Sequence, residues 1–96
     1  MTKSEERLLR IICEEYGLTL GDLTGRRRTQ SISEARFIAM YILRLRGQTL
    51  QRIGELFNRS HSTVIFGLQT VANMRDTDRH FAQKISRLIA TLEQHD

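Results

Sequence analysis

Hydrophobic residues recur along the chain at the three- and four-residue spacing of amphipathic helices. The spacing is clearest near the C-terminus, where Phe81 is followed by apolar residues at offsets of four, seven, eight and eleven positions. Similar stripes end at Gly17 and at Gly47, and shorter apolar groups lie between the stripes. Because the chain also has no proline and only 6 glycines, this periodicity predicts an all-α fold. We expect residues 1–96 to form one domain, a compact bundle of about six helices.

Polar residues that cap helices precede each apolar stripe. Thr2 and Glu5 have the spacing of a capping box, and Asp22 stands at the same spacing from Thr19. The expected N-caps are all serines or threonines: Thr2, Thr19, Ser31 or Ser33, Thr49, Ser60 and Thr77. The long helix after Ser31 or Ser33 is apolar around much of its circumference, so we expect it to be central and the most buried.

Residues 50–57 and 61–74 have the lengths of a helix-turn-helix, joined by a tight turn at Asn58 and Arg59. At about 100° per residue, the second helix has an apolar side, which we expect to face the core: Val64, Ile65, Leu68, Val71 and Ala72. The opposite side carries short hydroxyls, an amide and one ring: Ser62, Thr63, Phe66, Thr70 and Asn73. It lacks the charged residues that are usual on a solvent-facing side.

The outward side of this second helix has the chemistry of a surface that enters a DNA groove. Hydroxyls can hydrogen-bond base edges or phosphates, and the ring of Phe66 can pack on a thymine methyl group. At the helix N-terminus lie Arg59, Ser60 and His61, beside free N–H groups and a partial positive charge that favour phosphate. The alternative is that Phe66 packs under the basic segment of residues 26–28 or in a dimer contact, and that Ser62 and Thr63 only cap the helix.

Positive charge is concentrated in the middle third of the chain. The net charge is +4 overall, whereas residues 26–61 carry eight arginines against two glutamates, a net charge of +6. Arg26, Arg27 and Arg28 are consecutive in a segment without apolar periodicity, which predicts a basic loop. Arginine donates paired hydrogen bonds to phosphate, so the loop suits a DNA backbone or a narrow minor groove. The alternative is a solvated loop with no partner.

Other chemistries find little support in the sequence. Cys13 is the only cysteine, and His61, His80 and His95 lack metal-ligand spacing with one another or with it. Ser60 and His61 are neighbours on a helix and do not face each other, which makes them a poor nucleophile and base. We expect no catalytic residue, metal, cofactor or small-molecule substrate. No signal peptide or membrane span is recognisable, so the expected location is the cytoplasm, at the nucleoid.

Two longer segments resemble a known family. IGELFNRSHSTVIFGL resembles the signature of the C-terminal DNA-binding domain of the bacterial replication initiator DnaA, in which IG-x-x-F leads into a turn and an R-D-H-T-T-V core. EEYGLTLGDLTGRRRTQSISEARFIAMYIL is similar to the family's Y-x-(I/L)-x-x-x-D-L, basic loop and A-R-x-x-A-M helix. The resemblance runs from about Arg7 to Leu92. It implies a helix-turn-helix domain, related in architecture to the Trp repressor, that binds a short asymmetric duplex box of the replication-origin type.

The resemblance also implies roles for single residues. Arg28 would be the minor-groove arginine of the basic loop, with Arg26 and Arg27 nearby, and Arg36 would contact the DNA backbone from the long helix. The residues expected to contact bases and phosphates from the helix-turn-helix, including the outward residues of its second helix, are Arg59, Ser60, His61, Ser62, Thr63, Phe66 and Thr70.

The chain departs from the family pattern in places that bear on its target. Ser60 stands where the family has an aspartate that takes part in base reading, and the turn is one residue shorter. Phe37 and Phe66 replace polar residues. The DNA-binding mode is still expected, but the target sequence is left open. The family's ATP-binding domain is absent from this sequence.

Two other functions stay open beside double-stranded DNA binding. The first is a protein-interaction domain that kept the fold and lost sequence reading. Its partner, a full-length replication initiator or a second copy of this chain, would meet Phe37 and Phe66. The second is a dimeric, repressor-like regulator of transcription.

Overall fold

A computed structural model describes residues 1–95 of the chain, which form six α-helices. In chain order these are α1 (Lys3–Tyr16), α2 (Leu20–Thr24), α3 (Gln30–Leu45), α4 (Leu50–Phe57), α5 (His61–Thr77) and α6 (Arg79–His95). The all-α class and the bundle of about six helices, predicted from the hydrophobic spacing, are confirmed. No helix of this described part is long and apolar enough to cross a membrane.

Most helix ends lie where the capping residues predict them. Both capping boxes form. The backbone N–H of Glu5 donates to the hydroxyl of Thr2 over 3.1 Å, and that of Asp22 donates to the hydroxyl of Thr19 over 3.0 Å. Gly17 ends α1 in the left-handed conformation, at φ 65°, which glycine adopts without a steric penalty.

The predicted cap of α3 is wrong. The helix begins at Gln30, before both candidate serines, and Thr29 caps it by accepting the N–H of Ile32 over 3.3 Å. The earlier start adds a turn whose Ile32 is only 3% exposed. Burial of this side chain favours a longer helix than the polar sequence around it indicates.

The predicted cap of α6 is wrong as well. The carboxylate of Asp78, not the hydroxyl of Thr77, accepts the N–H of Phe81 over 3.1 Å. Aspartate is the stronger of the two capping residues. Thr77 is still part of α5, where its hydroxyl donates to the carbonyl of Asn73 over 2.8 Å. The second helix of the helix-turn-helix therefore extends beyond the predicted end at residue 74.

The central helix is α3, as its apolar circumference predicts. It packs against α1 on one side and α5 on the other. Its buried residues are Ile32, Ala35, Arg36, Ile38, Ala39, Met40, Ile42 and Leu43. The apolar stripe predicted on the last helix is also buried, at Phe81, Ile85, Leu88 and Leu92. All but one of the buried α3 residues are apolar or alanine, and the exception, Arg36, bears on the candidate site.

The predicted helix-turn-helix is formed by α4 and α5. Asn58 ends α4 in the left-handed conformation at φ 51°, and the N–H of Arg59 donates to the carbonyl of Gly54 over 2.9 Å. A Cβ atom at Gly54 would lie 2.8 Å from the carbonyl oxygen of Arg59, so the turn closes this tightly only over glycine. Ser60 then caps α5 by accepting the N–H of Thr63 over 3.2 Å.

An ion pair between the buried Glu5 and the partly exposed Arg52 holds α4 against the first turn of α1. The carboxylate of Glu5 is 3% exposed and accepts hydrogen bonds from the guanidinium of Arg52 over 2.8 and 3.3 Å. It also accepts the backbone N–H of Thr2 over 2.8 Å. These bonds, that from Arg52 foremost, hold the pKa of Glu5 below its ordinary value although burial acts in the opposite direction.

We expect Glu5→Gln to lower the free energy of unfolding by about 1–3 kcal/mol at neutral pH, because an amide replaces a charged acceptor. The pKa of Glu5 is lower in the folded than in the unfolded chain. The stabilisation is therefore complete above the unfolded pKa and is lost as the pH falls through the folded pKa. Urea unfolding of both proteins, from neutral pH into acid, measures the difference.

Glu6→Gln is the matched control, because Glu6 is an exposed neighbour that pairs with Arg10 across one turn. Its effect should stay below about 0.5 kcal/mol. Equal losses in the two variants, or a loss in Glu5→Gln that does not diminish in acid, would contradict the importance of the buried carboxylate.

Candidate nucleic-acid interface

On the outward side of α5, Ser62, Phe66 and Asn73 are exposed as the helical phase predicts, whereas Thr63 and Thr70 are partly buried. Phe66 is 61% exposed, whereas Val64 and Val71 are buried. Ile65, predicted to face the core, is 36% exposed. The buried line of the helix passes through Gly67 and leaves Ile65 at its edge.

Gly67 permits a close approach of α3 to α5. A Cβ atom at Gly67 would lie 2.5 Å from the ring of Phe37 on α3. With this space available, the ring of Phe37 meets the ring of Phe66 edge to face, with centroids 6.0 Å apart and an angle of 76° between the planes. The sequence marks both phenylalanines as unusual but does not pair them. A glycine on the buried side of a helix was the signal that could have done so.

At the start of α5, some side chains already make hydrogen bonds within the protein and others are free to bind a ligand. The hydroxyls of Ser60 and Thr63 lie 3.0 Å apart, and Ser60 is also the N-cap. The hydroxyl of Thr70, further along, donates to a carbonyl of its own helix over 2.8 Å. His61 and Ser62 are exposed, and their side chains make no hydrogen bond within residues 1–95. At this helix terminus, His61 and Ser62 are therefore the side chains most available to a ligand.

The basic loop lies between α2 and α3 and is exposed. Arg26, Arg27 and Arg28 all have exposed side chains. Arg27 forms an ion pair with Asp22, with 3.5 Å between nitrogen and oxygen, and its side chain is still 70% exposed. Exposed ion pairs contribute little to stability, so the three cations are readily available to a polyanion.

Arg36, for which the resemblance implies a contact with the DNA backbone, is buried. It is 3% exposed, on the side of α3 that faces the basic loop. Its guanidinium donates to four backbone carbonyls, those of Leu23 (2.7 Å), Asp22 (3.2 Å), Gly25 (3.1 Å) and Arg27 (3.0 Å). In this arrangement the guanidinium of Arg36 is directed at the backbone that leads into the basic loop. Its contact with a DNA phosphate stays a prediction.

Arg59 reaches the same loop from the helix-turn-helix. Its Nη2 donates to the carbonyl of Gly25 over 2.6 Å, and its Nη1 donates to the carbonyl of Phe57 over 2.8 Å. The pKa of Arg36 is lowered by burial first and then by the positive charges of Arg59 and Arg28. An arginine still stays protonated at neutral pH. Three cationic groups therefore raise the electrostatic potential where the loop meets the start of α5.

Cys13 and the histidines were considered from sequence as a possible nucleophile and as possible metal ligands. Cys13 is buried, and burial is the main cause of the raised pKa of its thiol, which is typical of an inert structural cysteine. Among the residues that the structure describes, no three His, Cys, Asp or Glu side chains are grouped so that they could hold a metal ion. The side chain of His95 lies outside this described part.

Comparison with known proteins gives consistent results. A family model described as the helix-turn-helix of the bacterial dnaA protein matches residues 6–71. The chromosomal replication initiator protein DnaA of Nostoc punctiforme is 34% identical over 90 residues, which are 92% of this chain and 20% of that protein. The protein of the same name from Caldanaerobacter subterraneus is 37% identical over 78 residues, 80% of this chain and 18% of that protein.

A third relative, the DnaA protein of Thermodesulfovibrio yellowstonii, is 36% identical over 89 residues, 91% of this chain and 19% of that protein. The chain thus spans about a fifth of the length of these relatives. The match covers α4, the turn and the first part of α5 together with the basic loop. The chain belongs to the bacterial DnaA helix-turn-helix family.

Proposed function

We propose that the chain binds double-stranded DNA through two adjoining elements. The N-terminal half of α5 enters the major groove, and the basic loop, residues 25–29, follows the backbone or enters the minor groove. The observation that carries this proposal is the 2.6 Å hydrogen bond from Arg59 to the carbonyl of Gly25. It joins the start of α5 to the loop, so that both elements present one continuous cationic surface to a duplex.

The start of α5 has the groups that DNA recognition needs. Its first N–H groups and the positive end of its dipole favour a phosphate, and it has no acidic residue in its first turn. Ser62 and His61 offer exposed donors and acceptors for base edges or phosphates. Ser60 supports them by capping the helix, and Thr63, whose hydroxyl lies 3.0 Å from that of Ser60, remains within reach of the same groove.

The relatives are named as chromosomal replication initiators, which favours a duplex box of the replication-origin type as the target. Ser60 caps α5 as an aspartate would, but it lacks the aspartate's charge. A neutral residue here removes a negative charge from the phosphate-facing end of the helix. We therefore propose that the chain binds related boxes with altered preference at the base that the family's aspartate takes part in reading.

We expect Arg28→Ala and Ser62→Ala each to weaken binding to a duplex carrying the family's box. The arginine change should weaken it about tenfold and should reduce the steepness of the salt dependence by about one unit of slope, because one phosphate or minor-groove contact is lost. Fluorescence anisotropy at several salt concentrations, with a scrambled duplex for comparison, measures both quantities.

Arg79→Ala is the matched control for charge. Arg79 is an exposed cation at the start of α6, and the length of α5 places it about 25 Å from the DNA-reading end of that helix. Its removal should leave affinity and salt slope nearly unchanged. If Arg28→Ala and Ser62→Ala behave like this control, the proposed interface is wrong.

The exposed ring of Phe66 leads to a separate prediction, that the protein prefers thymine to uracil in its DNA target. Because the ring is 61% exposed and is held by Phe37, we propose that it packs on a thymine methyl group in the major groove. Replacing every thymine of the box by uracil should weaken wild-type binding about fourfold, the effect of about one buried methyl group. In Phe66→Ala the thymine and uracil duplexes should bind equally.

Leu45→Ala controls for the loss of an exposed apolar side chain, because Leu45 is 57% exposed at the end of α3. It should keep the preference for thymine. The apolar pair of Phe37 and Phe66 also favours the second candidate function, a protein-interaction domain. If Phe66→Ala leaves affinity and thymine preference intact while full-length initiator binds only the wild type, the interaction function replaces base reading at this residue.

A further inference from the structure

The carbonyl of Gly25 accepts hydrogen bonds from two guanidinium groups on different parts of the bundle. Arg36 on α3 donates over 3.1 Å, and Arg59 in the turn of the helix-turn-helix donates over 2.6 Å. One backbone atom is thus tied at once to the central helix and to the start of the helix proposed to read DNA. We call Gly25, Arg36 and Arg59 the carbonyl clamp.

We propose that the carbonyl clamp fixes the distance between the basic loop and α5, so that Arg28 and the first turn of α5 meet the same duplex together. Arg36 and Arg59 are then positioning residues for Arg28, whatever further contacts Arg59 makes. This inference rests on the proposed function, because it concerns how the two DNA-binding elements are held.

Arg36 holds the loop at more places than the carbonyl of Gly25, so that it determines the path of the whole loop backbone. Its bonds to the carbonyls of residues 22, 23, 25 and 27 align the end of α2 and the loop along α3. Consecutive arginines repel one another and would otherwise leave the segment with many conformations. Fixing the backbone before binding removes the ordering entropy that a flexible loop would lose on the duplex.

The chemistry of the clamp requires arginine in place of any other cation. A guanidinium has five N–H donors in a rigid plane, whereas a lysine ammonium has three donors around a point charge. Arg36 uses its Nε and Nη2 groups on carbonyls that lie in different directions. The positive charge is buried at 3% exposure, and such burial is tolerated only where hydrogen bonds compensate it.

Gly25 allows a test that changes no charge. A Cβ atom at Gly25 would lie 2.6 Å from the backbone carbonyl oxygen of Gly21, so alanine must displace the backbone at the clamp. At Gly21 itself, an added Cβ would meet only the Thr19 hydroxyl at 3.7 Å, an ordinary contact. Gly25→Ala and Gly21→Ala therefore make the same chemical change, and only Gly25→Ala displaces the backbone at the clamp.

The experiment measures how much Arg28→Ala weakens duplex binding in three backgrounds: wild type, Gly21→Ala and Gly25→Ala. We expect about a tenfold effect in the first two and less than about a twofold effect in Gly25→Ala, because the displaced loop no longer presents Arg28. Ser62→Ala should weaken binding equally in all three backgrounds, since α5 is undisturbed. A general loss of structure would diminish both effects, so the selective loss of one identifies positioning.

The outcomes separate this inference from the function on which it rests. If neither Arg28→Ala nor Ser62→Ala affects wild-type binding, the proposed DNA interface is wrong. If both do, and Arg28→Ala has the same effect in Gly25→Ala as in the wild type, the clamp is wrong and the interface stands.

Arg59→Lys is a second variant that disrupts the clamp, and it replaces Gly25→Ala if circular dichroism shows that Gly25→Ala does not fold. It keeps the charge and replaces the planar fork that spans the carbonyls of Phe57 and Gly25. The effect of Arg28→Ala should again fall to less than about twofold. An unchanged tenfold effect would overturn the inference.

Discussion

The candidate interface depends on one buried positive charge. A guanidinium removed from water is unfavourable unless hydrogen bonds compensate it, and Arg36 directs its Nε and Nη2 donors to carbonyls of the segment that leads into and through the basic loop. These bonds hold the end of α2 and the loop against α3. The exposed arginines are therefore carried on a backbone whose course is set by the bundle. The helix-turn-helix reaches the same backbone through Arg59.

Close approaches at two glycines set the orientation of α5 relative to the rest of the bundle. At Gly54 the turn closes against the carbonyl of Arg59, and at Gly67 the ring of Phe37 lies where a side chain would be. The first contact fixes where α5 begins, and the second fixes how it lies on α3. Together they leave the ring of Phe66 exposed, in an edge-to-face contact that holds its position. The first two turns of α5 carry the proposed reading surface. The contacts at the two glycines hold these turns at both ends.

Local rules predicted much of this fold. Capping boxes at Thr2 and Thr19, the end of α1 at Gly17 and the tight turn before Ser60 depend on residues close together in the chain, and all were predicted from sequence. One failure is local, at α6, where Asp78 and not Thr77 caps the helix, and the others are tertiary. The start of α3 follows from the burial of Ile32, and Ile65 is displaced from the core because Gly67 receives Phe37. The family resemblance placed Arg36 at the DNA backbone, and the sequence does not show which acceptors face this side chain in the fold. Its four carbonyls come from a segment at least nine residues away.

The central claim is that the basic loop and the first turns of α5 form one binding surface. Amide chemical shifts measured by NMR during titration with a duplex carrying the family's box test this claim most directly. We expect the amides of residues 25–29 and 60–66 to shift together, with one midpoint, while the exposed side of α6 does not respond. Shifts confined to the surroundings of Phe66, or separate midpoints for the loop and α5, would contradict the claim.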